Sequence, residues 1–260
     1  EFGFSGFSPQ TATTAYLLLI CQSVVMAFKE QGFWGKRQVR ILLLALLVLS
    51  IFLTGKRMAA AISIVLLVLY VYISSSRNAH IKIIVLSLLA IGSYFIIQFF
   101  LENSQQYSDS VFLRRFVTSY YSASGGDDIS SGRNVLYQKA LFYFEQEPIF
   151  GIGANNYSKI SGMGTAIHNT YLQVLCEEGI LRFPLFIIPL VLIFIKTIKE
   201  VLNNRIVIGR SFLLLSLFLQ IVFILYSFTG NTIINYSNFV LYFMGVGFFT
   251  YAISSKYQKQ

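Results

Sequence analysis

Long apolar runs alternate with short polar ones along most of the chain. They fall at approximately 11–28, 40–54, 58–74, 81–101, 180–198, 210–228 and 238–254. An untilted helix needs about 20 apolar residues to cross a hydrocarbon core of about 30 Å, so several runs are short for a span. The 40–54 and 58–74 runs are separated only by Thr54-Gly55-Lys56-Arg57. A short hairpin dipping from one side competes there with two separate spans, and the two-span choice makes the charge pattern consistent. The expected fold class is an all-α polytopic membrane protein with about seven transmembrane helices. One large polar block, 102–179, interrupts the apolar runs. The chain then divides into spans 1–4 (1–101), an extracytoplasmic catalytic loop (102–179) and spans 5–7 (180–260).

Inside the polar block, 102–128 is rich in Ser, Tyr, Gly and Asp. It reads as a loop with a short amphipathic piece around Val111–Tyr121 and a flexible link at Ser124-Gly-Gly-Asp-Asp128. Ser130 or Ser131 is placed to cap a helix that runs to Glu147 and stops before Pro148. Val135, Leu136, Leu141 and Phe144 form its apolar stripe, facing the membrane surface or the spans. Gly151-Ile-Gly153 reads as a tight corner, since it lacks the strand and third glycine of a dinucleotide site. Thr170-Tyr-Leu-Gln173 has capping-box spacing and Gly179 suits a helix end, so a second short helix is expected over about 171–178.

Composition agrees with the membrane reading. The chain is 55% hydrophobic and 12% charged over 260 residues, against about 25% charged in soluble domains. Its net charge is +9. The basic residues flank apolar runs, which points to topology and away from nucleic acid as a partner. With alternating sides, one face takes 12 of the 20 basic residues and only Glu30 and Glu200 among the acids. That face is cytoplasmic by the positive-inside rule. The Gly55-Lys-Arg57 turn, the 102–179 block and the 229–237 loop then lie together outside. The chain does not start with Met and shows no signal peptide, so it reads as a fragment that lacks earlier spans.

Few residues on that outer face carry chemistry. His168 is one of only two histidines. It precedes a helix start, and its ordinary pKa near 6.5 suits a general base. Unpaired N–H groups at the same helix start would favour a phosphate. Arg57 follows a tight turn and Arg133 follows a Ser-Gly cap; forked guanidinium donors match phosphate oxygens. Two of them converging on His168 would form a diphosphate clamp. Arg114 and Arg115 could add to that field, although a solvated basic pair is the plainer reading. Lys56, Lys139 and Lys159 are weaker candidates. Glu177 and Glu178 could orient the His or an acceptor sugar, against a capping role. Cys21 and Cys176 read as small packing residues. Metal-ligand spacing and a Gly-x-Ser-x-Gly hydrolase elbow are both missing from the sequence. Outer-side tyrosines read mostly as an interface belt, with sugar stacking open for a few.

Several of these residues together resemble the O-antigen ligase and the O-antigen or capsular polysaccharide polymerase family. They are Thr54-Gly-Lys-Arg57 followed by a span, Ser131-Gly-Arg133 with Ala140-Leu141 and Phe144, Pro148-Ile-Phe-Gly-Ile-Gly153, Asn156 and His168-Asn-Thr-Tyr-Leu-Gln173. Gly3-Phe-Ser-Gly-Phe and Thr229-Gly-Asn231 match more loosely. The resemblance is continuous from about 54 to 190. Ligases of the family carry a second glycine where this chain has Arg182.

The resemblance implies an integral-membrane glycosyltransferase of the GT-C type, metal-independent, inverting and without a cofactor. Its implied substrates are an undecaprenyl-diphosphate-linked oligosaccharide and an acceptor glycan, in contact with membrane lipid. A chain-length regulator or other glycan-assembly proteins are the partners it allows. It implies the bacterial cytoplasmic membrane, with the active site on the extracytoplasmic face, and a larger bundle of which this chain is the C-terminal part. It carries the catalytic roles to Arg57, Arg133 and His168, with Asn169, Tyr171, Gln173, Glu177, Arg114 and Arg115 as substrate-binding candidates. A polymerase, joining one lipid-linked repeat unit to another, is expected from Arg182 and the composition. The alternatives are a ligase that transfers the glycan to lipid A core, protein or another surface acceptor, and a non-catalytic transporter of the same glycan. A transporter would place ionisable side chains within its spans, and these runs hold almost none.

Overall fold

A computed structural model of the chain describes residues 11–28, 36–74, 132–203 and 209–257. Among these residues every element is a helix: α1 Thr11–Ala27, α2 Arg37–Leu53, α3 Arg57–Ser74, α4 Arg133–Gln146, α5 Tyr157–Ile160, α6 Thr170–Asn203, α7 Arg210–Tyr226 and α8 Tyr236–Tyr257. The apolar runs at 11–28, 40–54, 58–74, 180–198, 210–228 and 238–254 thus all become helices. The 81–101 run, the Val111–Tyr121 piece, the Ser124–Asp128 link and Ser130 and Ser131 lie outside the described residues. One described helix, α6, is long and apolar enough to cross a membrane; α1, α3, α7 and α8 contain shorter apolar stretches of 10–17 residues.

The chain forms two compact units, residues 1–26 with 30–129 and residues 27–29 with 130–260. In the first, α2 and α3 pack as a hairpin around Thr54-Gly55. Thr54 is fully buried, its hydroxyl donates to the Ile51 carbonyl at 2.7 Å, and the Lys56 N–H donates back to that hydroxyl at 3.3 Å. Gly55 supplies the positive φ, 68°, that the turn requires. Arg57 is therefore the first residue of α3, and it is exposed. Buried Gln22 of α1 donates to the Ser63 carbonyl of α3 at 3.1 Å.

In the second unit α4 packs on α6, α6 on α7 and α7 on α8. The middle helix, α7, is buried on nearly every side from Leu213 to Phe223. Polar contacts fix its register: the Gln220 side chain donates to Thr197 of α6 and to Ser216, both at 2.9 Å. Such bonds hold apolar helices together where burial alone distinguishes them poorly from lipid.

The feature that positions everything else is a clasp at Gly179. Its φ of 69° and ψ of 178° break α6 into a short upper helix, 170–178, and a long lower one, 180–203. A broken helix leaves carbonyls orphaned above and N–H groups orphaned below. The Pro148–Gly153 corner satisfies both. Ile152 and Gly153 donate to the Cys176 and Glu177 carbonyls at 3.1 and 2.9 Å, while Ile180 and Leu181 donate to the Pro148 and Ile149 carbonyls at 2.8 and 3.2 Å. The two backbones approach so closely that a Cβ on Gly151 would collide with the Glu177 carbonyl, and one on Gly179 with that of Ile149. The expected corner and the expected helix end are thus one device.

Some local expectations change. α4 is capped by Gly132 at φ 81°, with no side-chain cap, in place of a serine. Its stripe divides: Leu136 is buried and Phe144 half-buried, whereas Val135 and Leu141 are exposed. The 170–178 helix is capped by Asn169, whose Oδ1 accepts the Leu172 N–H at 3.1 Å. Thr170 fails as a cap because its hydroxyl is spent on the 227–232 loop. Cys176 packs with Ala140, Tyr157 and Ile167, as a small buried residue should, but Cys21 is exposed. Tyr157 is no interface residue: it is fully buried, its hydroxyl donates to the Leu136 carbonyl at 2.8 Å, and burial pushes its phenol pKa up.

The clasp yields a graded prediction. Gly179→Ala should cost about 2–5 kcal/mol, combining left-handed strain with overpacking. Gly164→Ala, also at positive φ but with open space around it, should cost only the strain, about 1–2 kcal/mol. Thermal unfolding of the two variants in detergent measures the difference.

Candidate functional site

The site is assembled where the 165–170 segment meets the 227–232 loop. Thr170 makes the joint. Its N–H donates to the Ser227 carbonyl at 2.8 Å, and its hydroxyl donates to the Gly230 carbonyl at 2.8 Å. The same oxygen accepts the Thr232 N–H at 2.9 Å and lies 3.0 Å from the Thr232 hydroxyl, which lies 2.7 Å from that of Ser227. All three hydroxyl residues are buried. Two segments about 60 residues apart are thereby locked with no polar group wasted.

His168 stands directly before this joint, half-buried, at a φ of 58°. A histidine in the left-handed region is uncommon and is held there by its surroundings. The holder is Asn231. Its Oδ1 accepts the His168 backbone N–H at 2.9 Å, and its Nδ2 lies 3.3 Å from the His168 Nδ1. On the other side of the ring, Nε2 lies 3.4 Å from the Thr165 hydroxyl.

Arg133 opens α4 in the same unit. Its charge acts on the hydroxyl of Tyr226, the residue that leads into the 227–232 loop. Arg133 therefore lies near the start of the loop whose Asn231 holds His168. Arg57 belongs to the other unit, and Arg114 and Arg115 lie outside the described residues.

The substrate-binding candidates separate by face. Asn169 caps the upper helix. The Tyr171 hydroxyl donates to the Ile224 carbonyl of α7 at 2.9 Å, so it braces the helix. Glu177 is buried, and its carboxylate accepts the N–H groups of Asn155 and Tyr157 at 2.9 and 3.1 Å, pinning the corner to the helix. Gln173 donates weakly to Glu177 at 3.4 Å, and its Oε1 has no partner among the described residues. One expectation is revised here. The helix start does not offer a row of unpaired donors, because the N–H groups of Thr170, Leu172 and Gln173 go to Ser227, the Asn169 side chain and the Asn169 carbonyl.

Two cavities flank the upper helix. One, of about 720 Å³, has Gln173, Glu177, Asn155 and Asn231 at its polar end, Phe186 and Phe239 at its apolar end, and the exposed Arg182–Glu178 ion pair, 3.0 Å, beside it. The other, of about 550 Å³, starts at Asn169 and Tyr171 and continues past Phe183, Ile187 and Phe194. It is almost wholly apolar.

A family model described as O-antigen ligase matches residues 42–187, more than half of the chain. The chain belongs to the O-antigen ligase family. The match covers the Thr54–Arg57 turn, Arg133, the clasp and the His168 segment, and it stops short of Asn231. No curated protein and no solved structure matches the chain. The members of this family are membrane proteins, and membership implies a glycosyltransferase-like activity of the ligase or polymerase type on lipid-linked glycans.

Asn231 and Thr232 had little local signal in the sequence. Only the loose match at Thr229-Gly-Asn231 pointed to that loop, and pairing across 63 residues leaves no spacing rule to find it.

Glu177 is expected to act on stability. Glu177→Ala orphans two backbone N–H groups and should cost about 2–4 kcal/mol. Arg182→Ala breaks only an exposed ion pair and should change stability by less than about 0.5 kcal/mol. Parallel melts of the two proteins in detergent check this.

Proposed function

We propose that the chain is a polysaccharide polymerase of the bacterial cytoplasmic membrane, with its site on the extracytoplasmic face. It transfers an undecaprenyl-diphosphate-linked glycan to a sugar hydroxyl of another lipid-linked repeat unit. In this scheme the anomeric carbon exchanges its bond to the diphosphate oxygen for one to the acceptor oxygen, with inversion and without a metal. The chain contributes seven spans to a GT-C-type bundle, with 102–179 as the catalytic loop. Arg57 and Arg133 hold the diphosphate and stabilise the charge that grows on it. His168 completes the clamp, and Arg114 and Arg115 add to its field.

The observation that supports this reading is His168 held by Asn231, next to two unlike cavities, one lined by Asn231 and the other by Asn169. The apolar cavity beside Asn169 suits a polyprenyl tail. The mixed cavity beside Gln173 suits sugar hydroxyls. A pore-like transporter has no need of either pairing.

The ligase reading has support in the description of the matching family. Purified protein in detergent, given only a lipid-linked repeat unit, should produce longer glycans. Product that forms only after lipid A core, protein or another acceptor is added would make it a ligase. No product under any acceptor, with glycan moved across a vesicle membrane, would favour the transporter. Arg57→Ala, Arg133→Ala and His168→Ala should each lower transfer at least about 10²-fold at matched protein level. Wild-type polymer from Arg57→Ala or His168→Ala would end the scheme.

A further inference from the structure

Asn231 touches His168 twice, and the two contacts are chemically unequal. A backbone N–H can only donate, so the atom of Asn231 that receives it at 2.9 Å is the carbonyl oxygen. This fixes the amide orientation, which otherwise is ambiguous. The other end, 3.3 Å from Nδ1, is then the NH₂ group, which can only donate. A ring nitrogen facing a donor must present its lone pair.

From these contacts we infer that Asn231 is a positioning residue that fixes the tautomer of His168, leaving Nδ1 bare and the proton on Nε2, so that His168 meets the diphosphate as a hydrogen-bond donor. This rests on the glycan-transfer reading of the site and replaces the base role expected from the sequence. Taking up a proton at Nδ1 would set two donors against each other. Turning the amide over would strip the His168 N–H of its acceptor in a residue already at a positive φ. The Nε2–H reaches the Thr165 hydroxyl in this structure, at 3.4 Å, a long contact that an anionic oxygen would outcompete. The occupied donors at the start of the upper helix point the same way. With the Thr170, Leu172 and Gln173 N–H groups committed, fewer backbone donors remain for an anion at this corner, which favours a side-chain donor. In the net reaction the acceptor hydroxyl loses a proton and the departing diphosphate oxygen gains one, so no proton need rest on the imidazole.

The chain has two histidines, so His80→Gln leaves a single ring to observe. The experiment uses the full chain in detergent, with ¹⁵N-labelled histidine, near about pH 8, where an ordinary histidine is neutral. The expected spectrum has a pyridine-type Nδ1 and a pyrrole-type Nε2. In Asn231→Asp, whose carboxylate accepts from both groups, Nδ1 should become pyrrole-type. In the transfer assay His168→Gln, which keeps an N–H near the Nε2 position, should lose no more than about tenfold, against at least about a hundredfold for His168→Ala. A pyrrole-type Nδ1 in the wild type overturns the inference and leaves the glycan-transfer reading intact. Activity of His168→Gln at the alanine level, in a folded protein with the expected tautomer, overturns the donor role. A wild type with the expected tautomer but no transfer to any acceptor removes the functional reading, and the donor role with it.

Discussion

The structure depends on a break in one helix. Gly179 interrupts α6, and an interruption normally exposes unpaired carbonyls on one side and unpaired N–H groups on the other. Near a membrane surface such groups are costly to bury. The Pro148–Gly153 corner pairs with both sets through four backbone hydrogen bonds of 2.8–3.2 Å. No side chain larger than hydrogen fits at the crossing of Gly151 and Gly179. The same backbone bonds therefore end the site helix, start the membrane helix and tether the polar insert.

From that fixed point the rest of the site is built by polar side chains acting on backbone. Glu177 holds the corner at one end of the upper helix. Thr170, Ser227 and Thr232 hold the α7–α8 loop at the other. Tyr171 braces the middle against α7. Several of these residues look like substrate ligands when only their types are known, and here their polar atoms bond to the backbone of the fold itself. The amide of Asn231 then decides what the imidazole can offer.

The helices were legible because apolar runs of 15–20 residues have few other solutions. Arg37–Leu53 and Arg57–Ser74 separate where Thr54-Gly55 predicts a turn. Gly179 was legible as a helix end because glycine is the usual residue for a left-handed stop. What joins the two helices was not: the helix expected over 180–198 starts in the next residue because a distant corner supplies its bonds. The cap was misassigned for a related reason. Asn169 and Thr170 are both good caps by type, and only the presence of the 227–232 loop decides that Thr170 is needed elsewhere. Asn231 was hardest to see, since a lone Asn in a short loop has many bland roles. Serines read as a cap gave way to Gly132, whose positive φ turns the chain into α4 without one.

The clasp also makes α6 a single mechanical part with two environments. Below Gly179 its 180–203 segment rises about 36 Å, at about 1.5 Å per residue, of which the apolar run 180–198 supplies about 28 Å, close to the thickness of a hydrocarbon core. Above Gly179 it is the wall between the two cavities. Because the joint is bonded on both sides, any tilt taken up by the lower segment is passed to the wall, and with it the angle at which His168 meets its substrate. The set of one membrane-length helix would then bear on the geometry of the chemistry beside it.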